Sequence, residues 1–276
     1  MQLKYECSDG TVIDLMKDPI FAQEPESLLD NKWNYSTIAS VGNMAKIKSF
    51  YKDVQESSLK LSIMADSAEQ FNKINYQLQK CFEKDIRNIT PGKLWWNDYY
   101  KEVFVVDCSN SEFEEYFESV EKSYKIMSLY SFWIKKNTSR FSAAAGFDGL
   151  LDFPYDYGFD YDCSQYQEII GNDGIGEANF EMIFYGPAEN PVVTVSGHDY
   201  ELFTTLAAGE YAVINSITKK IKQYAISGEE SNIFHLRNKD SYIFKKIPEG
   251  ISFVSRNKFN GVDITLFDER GEPEWI

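Results

Sequence analysis

The chain has 276 residues, a length at which one core commonly gives way to two, and its 43% hydrophobic and 16% aromatic content suits packed cores, not disorder. A net charge of −15, with no Lys or Arg between Arg140 and Lys219, excludes a sequence-specific nucleic-acid reader, which needs a basic stripe to displace counterions. No apolar run approaches the roughly 18 residues of a spanning helix, and MQLKYECSDG lacks the apolar centre of a secretion signal, so the expectation is a protein folded in a cytosol, with no membrane contact.

Leu3 to Tyr5 and Thr11 to Leu15 read as a hairpin turning at Ser8-Asp9-Gly10. Residues 16 to 36, with Pro19 and Pro25, read as irregular. In KIKSFYKDVQESSLKLSIM (46 to 64), Ile47, Phe50 and Tyr51 sit among lysines, while Leu59, Leu61 and Ile63 alternate with Lys60, Ser62 and Met64. That pattern predicts two long strands joined through Lys52 to Ser57. Such a protruding hairpin has unpaired edges unless another chain covers them, which makes Ile47, Phe50 and Tyr51 candidate subunit-contact residues.

Asp66 with Glu69, and Ser67 with Gln70, both have capping-box spacing. Phe71, Ile74, Leu78, Cys81 and Phe82 then recur three and four apart, predicting one helix that covers a sheet and ends near Ile86, ahead of Thr90-Pro91-Gly92. Lys93 to Val106 predicts an aromatic-rich hairpin around Asn97-Asp98. Residues 109 to 122 admit a short helix capped by Ser111 and Glu114, or a strand or loop. Tyr124 to Lys135 returns to strand. NTSRFSAAAGFDG (137 to 149) is small and polar, which places a domain boundary there.

Val192 to Val195 forms a β-rich run ended by Ser196-Gly197, after which Tyr200, Leu202 and Thr204 alternate with Glu201, Phe203 and Thr205. Ala207-Ala208-Gly209 breaks the run, Tyr211 to Ile214 resumes it, and Asn215-Ser216 turns again, predicting an antiparallel meander. Ser241 to Phe244, Gly250 to Val254 and Gly261 to Phe267 read as closing strands.

Little in the chain points to chemistry. Cysteines 7, 81, 108 and 163 form no CxxC pair and are expected as buried thiols, without a zinc site or disulfide framework. Aspartates 148, 152, 156, 160 and 162 lack the ligand register of an EF-hand loop. Gly171 to Gly176 is glycine-rich, but it reverses the GxGxxG order and no helix pattern follows. His198 reads as a turn residue and His235 as a strand residue with a satisfied ring. No nucleophile, base and orienter can be assembled from these two histidines, so the expectation is no enzyme, no catalytic residue, no metal and no cofactor.

The order NPVVTVSGHDY, TTL, GEYAVINS and KKI resembles the C-terminal β-sandwich of phage distal tail proteins, the ring-forming hubs of siphophage and prophage tails. Asn215-Ser216 stands where the family has Asp-Ser, and Gly158 where a proline is common. SSLKLSIM, the helix, DIRNITPGKLWWNDYYKEVFVV, FWIKK and LLDFPYDYGFDYD are similar to the family in its own order. The resemblance implies an α+β, mostly β chain. Residues 1–140 would be a small sheet domain with one covering helix and a protruding hairpin, and 141–276 an antiparallel, galectin-like β-sandwich. It further implies a virion protein: a hexameric homo-oligomeric ring that joins the tail tube protein to tip or baseplate proteins, with DNA passing through unbound. Two other functions stay in view, a carbohydrate-binding adhesin and a cell-wall polymer hydrolase. Galectin-type recognition needs a His-Asn-Arg group with a stacking Trp, yet Trp33, Trp95, Trp96 and Trp133 lie in the first half and Trp275 is terminal.

Overall fold

A computed structural model describes residues 2–39, 44–110, 119–142, 168–257 and 261–275. The fold is antiparallel β with one helix, and it divides into two compact units, Met1–Lys135 with Glu269–Ile276, and Lys136–Asp268.

In the first unit, Leu3–Glu6 lies between Val12–Asp14 and Gly92–Trp96, so the N-terminal hairpin forms at the expected place. Gly92–Trp96 pairs with Tyr99–Asn110 across the two-residue turn Asn97-Asp98, with Asn97 at φ +52°. From there Ser119–Ser128, Gln55–Met64 and Ile20–Gln23 pair in succession. The helix Ala68–Arg87 covers these strands. Ser67 Oγ accepts from the Gln70 amide (3.2 Å) and Gln70 Oε1 from the Asp66 amide (2.9 Å), so two otherwise orphaned N–H groups are satisfied at its start. Its buried stripe is Ile74, Leu78, Cys81, Phe82 and Asp85. Phe82 meets Tyr5 and Tyr124 edge-on at 4.9 and 5.2 Å, joining the helix to two strands that do not pair with each other.

The second unit packs two sheets around one core. Glu230–Asn232, Lys220–Tyr224, Tyr211–Asn215, Asn179–Tyr185 and Gly261–Arg270 neighbour one another in one sheet. Glu168–Asn172, Gly250–Arg256, Val192–Val195 and His198–Glu201 form the other. Phe180, Met182, Phe184, Ile214 and Ile264 of the first and Ile170, Val193, Val195, Tyr200 and Val254 of the second share a single apolar cluster. Their neighbours along each strand are more exposed, as period-2 alternation requires.

Several expectations need correction. Lys46–Tyr51 and Gln55–Met64 are strands but do not pair; the first pairs back with Asn34–Ile38, the second with Ser119–Ser128. Alternation shows that a strand exists and not which strand lies beside it. Residues 16 to 36 are not irregular: Met16–Lys17 pairs with Ile20–Gln23, and a 3-10 turn spans Pro25–Leu29. Trp133–Ser142 is one strand, so part of the predicted loop at 137 to 149 is extended, with Thr138 meeting the Thr265 hydroxyl (2.9 Å) and Phe141 buried. The meander changes sheets after Glu201, because its buried side chains face the shared core from opposite sides. Residues 241 to 244 form a turn that buries Ile243 and Phe244. His235 sits exposed in the 3-10 turn Phe234–Leu236. Cys7 and Cys81 form a disulfide, with Cα atoms 5.7 Å apart, and Cys108 is exposed. The alternative helix at 111 to 118, the LLDFPYDYGFDYD segment and Cys163 lie outside the described residues.

Candidate assembly surface

Asn34–Ile38 and Lys46–Tyr51 make a two-stranded ribbon that pairs with no other described strand. Register assigns its faces. Tyr35 opposes Phe50 and Thr37 opposes Ile47 on one face; Asn34 opposes Tyr51 and Ser36 opposes Ser49 on the other, where the two hydroxyls meet at 2.6 Å. Tyr35, Phe50, Ile47 and Tyr51 are 64, 59, 58 and 49% exposed. An isolated hairpin is marginal in water, and contiguous exposed apolar surface marks an interaction site. The three predicted contact residues therefore sit on one ribbon, Ile47 and Phe50 on one face and Tyr51 on the other.

Lys52 fixes the root of this ribbon. Its Nζ donates to Asn31 Oδ1 (2.5 Å) and to the Ser131 carbonyl (2.9 Å), and lies 5.2 and 4.6 Å from the Trp33 and Phe132 ring centroids. Burial among these groups pulls its pKa below the usual lysine value. Ser131 Oγ donates to the Asp53 carbonyl and Gln55 Nε2 to the Asp30 carbonyl, so both ends of the ribbon are tied to the first unit. Reading the sequence alone missed Trp33, Tyr35 and Lys52. The alternation in NYSTI was the available signal, hidden inside a proline-containing stretch. Between residues 31 and 52 there are four lysines and no Asp or Glu, opposite to the balance of the whole chain.

No reactive constellation forms among the described residues around the histidines. His198 Nε2 lies 3.0 Å from the Tyr242 carbonyl and 3.3 Å from Ser241 Oγ, while Ser241 donates to the Asp199 carbonyl at 2.7 Å. A ring nitrogen that donates to a carbonyl cannot also take the serine proton. Cys7, Cys81 and Asp85 are close enough to suggest a metal centre, but the sulfurs are bonded to each other. Asp85 already accepts from Tyr5 Oη (2.8 Å) and the Ser8 amide (2.9 Å). A cavity of about 10 Å³ beside Lys101, room for one water, is too small for a substrate. An open depression of about 370 Å³ on the sheet, lined by Glu56, Ser57, Ser58, Asp107, Ser109, Ser123 and Lys125, offers hydroxyls and the Lys125–Glu56 pair (2.7 Å) and no convergent acid–base group. No described helix is long and apolar enough to cross a membrane.

No protein-family model matches the sequence, and no curated protein does. Solved structures match over nearly the whole chain. The SPP1 Dit (gp 19.1) protein, described as a paradigm of the hub adsorption apparatus in phages infecting Gram-positive bacteria, is 8% identical, with a TM-score of 0.59 over 97% of this chain and 98% of that one. A chain of the phage P2 baseplate in its activated conformation with Ca is 14% identical, with a TM-score of 0.62 over 99% of both chains; the form with Sr gives the same values. The fold of this chain is thus the fold of phage hub and baseplate proteins.

Proposed function

We propose that this chain is a structural, non-enzymatic component of a phage or prophage tail, a distal tail hub that closes into a hexameric ring. The ring would link the tail tube protein to tip or baseplate proteins in the virion, with DNA passing through its lumen unbound. The first unit would form the ring and the second the outward sandwich. The observation that carries this reading is the ribbon: apolar on one face, exposed on both, and held by the first unit at its root. Likeness to hub and baseplate structures over the full chain supports it. A ring closes only through heterologous contacts, in which one patch meets a different patch on the next subunit. The ribbon supplies one such patch, through Ile47, Phe50 and Tyr51.

The test is the mass of the assembled species by native mass spectrometry and light scattering. Wild-type protein is expected as six copies. Phe50→Asp, which puts a charge opposite Tyr35, and Tyr51→Asp, on the other face, are each expected to shift it to monomer with an unchanged circular dichroism spectrum. Rings that survive both substitutions would remove the ribbon from the contact. A wild-type chain that stays monomeric at every concentration would remove self-assembly itself.

A further inference from the structure

The second unit concentrates its positive charge in one segment of the chain. Of eleven Lys and Arg between residues 136 and 268, seven fall in 219 to 246, a segment with three of the nineteen Asp and Glu. The fold brings two of these cations, from separate turns, onto one row of rings. Lys219, at φ +55° in the turn before Lys220–Tyr224, holds its Nζ 5.7 Å from the Tyr242 centroid and 5.2 Å from that of Phe244. Phe244 stacks on Phe234 at 6.0 Å and 19°, and the Arg237 guanidinium lies 3.9 Å from the Phe234 centroid. Arg237 Nη1 donates to the Phe234 carbonyl (2.8 Å), and no ion pair to a described carboxylate engages either cation. Tyr242 is 62% exposed, whereas Phe244 beneath it is buried. The Tyr242 carbonyl is held by the Lys245 amide (2.9 Å) and faces His198 Nε2, so the ridge is preformed.

We propose that this ridge docks an acidic stretch of a protein partner, with carboxylates meeting Lys219 and Arg237 and an apolar side chain covering Tyr242 and Phe234. Aromatic residues and arginine are the types enriched at interface centres, and cations already held against rings lose little freedom on binding. The rest of this unit's sequence carries sixteen acidic residues against four basic ones, a balance that repels a dense polyanion such as duplex DNA. The site is separate from the ribbon and does not require a ring.

A random poly(Glu,Tyr) copolymer is the probe, followed by fluorescence anisotropy against the full-length chain, with light scattering on the same samples to record assembly independently. Wild type is expected to bind it more tightly than poly-Glu, which has no rings. Lys219→Gln with Arg237→Gln should weaken binding about tenfold or more, since two charge-assisted contacts are lost. Tyr242→Ser should weaken binding to poly(Glu,Tyr) but not to poly-Glu, and Lys125→Gln, in the first unit, should change nothing. Absence of binding, binding unaffected by the double substitution, or equal binding of dextran sulfate or duplex DNA would each overturn the proposal.

Discussion

Lys101 shows how a single residue can work against the fold that holds it. Only 3% exposed, it lies 4.7 Å from the Trp133 centroid and 3.5 Å from Gln55 Oε1, with no ion pair to a described carboxylate. Burial, then the nearby charge of Lys52, lowers its pKa from 10.5 to about 8. Below about pH 8 the folded chain carries this charge at its full desolvation cost. Between about 8 and 10.5 the folded chain has lost a proton that the unfolded chain still binds, so stability rises with pH. Tyr5, Tyr124 and Tyr200 act in the opposite sense. Burial foremost raises all three above the ordinary 10.0, so above about pH 10 the unfolded tyrosines ionise first and stability falls. Denaturant melts should therefore show a maximum near pH 9–10, on the order of 1 kcal/mol or more above neutral pH. Lys101→Met keeps the stem over Trp133 and should stabilise by about 1–3 kcal/mol at pH 7 while removing the rise. A wild-type profile that is flat from 7 to 10 would contradict the account. Gly92 is a quieter case at this scale. Its place after Pro91 reads as a stop signal, but a Cβ there would overlap Tyr5 Oη and Asp85 Oδ2, so close packing also requires the glycine.

Among the elements, the helix was the most legible and the ribbon the least. Ser67, Gln70 and the Ile74–Leu78–Cys81 stripe act within a few residues of one another, so local spacing specifies them. The helix also carries a long-range tie that spacing cannot reveal. Cys81 reaches Cys7, 74 residues upstream, at the end of the first strand. Closing a loop of that length restrains the unfolded chain, and the expected contribution is about 4 kcal/mol. Cys7→Ala with Cys81→Ala, or full reduction checked by thiol labelling, should lower the unfolding free energy by about that much in urea. Unchanged midpoints in a fully reduced sample would show that the pair contributes nothing. The ribbon was misread for a related reason. Lys46–Tyr51 carries a recognisable strand pattern, but its partner lies upstream and not in the alternating run that follows. Ile47, Phe50 and Tyr51, the proposed contact residues, were therefore legible as apolar groups among lysines, while Tyr35 opposite Phe50 and the Lys52 anchor were not.

At the scale of the whole molecule, the ring proposed for a chain of net charge −15 would have to form against its own field. The lysine-bearing ribbon reverses that sign locally, and its exposed apolar side chains would supply the proposed contact with a term that salt does not screen. Raising the ionic strength from about 0.01 to about 0.15 M shortens the Debye length from roughly 30 to 8 Å, so distant repulsion fades first. The assembled fraction in sedimentation velocity should rise over that range and then change little up to about 1 M salt. Rings that instead dissociate as salt is added would mean that charge pairing, and not apolar burial, holds the subunits together.

The sequence by itself determined that the chain is mostly β, where its helix starts and stops, and where the tight turns at Asn97-Asp98 and Ser196-Gly197 fall. These depend on contacts a few residues apart, which spacing and residue type record. The tertiary structure alone decided which strands pair, that Glu269–Ile276 belongs with the first unit, that Cys7 meets Cys81, and that Lys219 and Arg237 share a ridge. Each of these joins residues tens to hundreds of positions apart. Which of many compatible surfaces meet is settled only when all of the apolar faces are buried together.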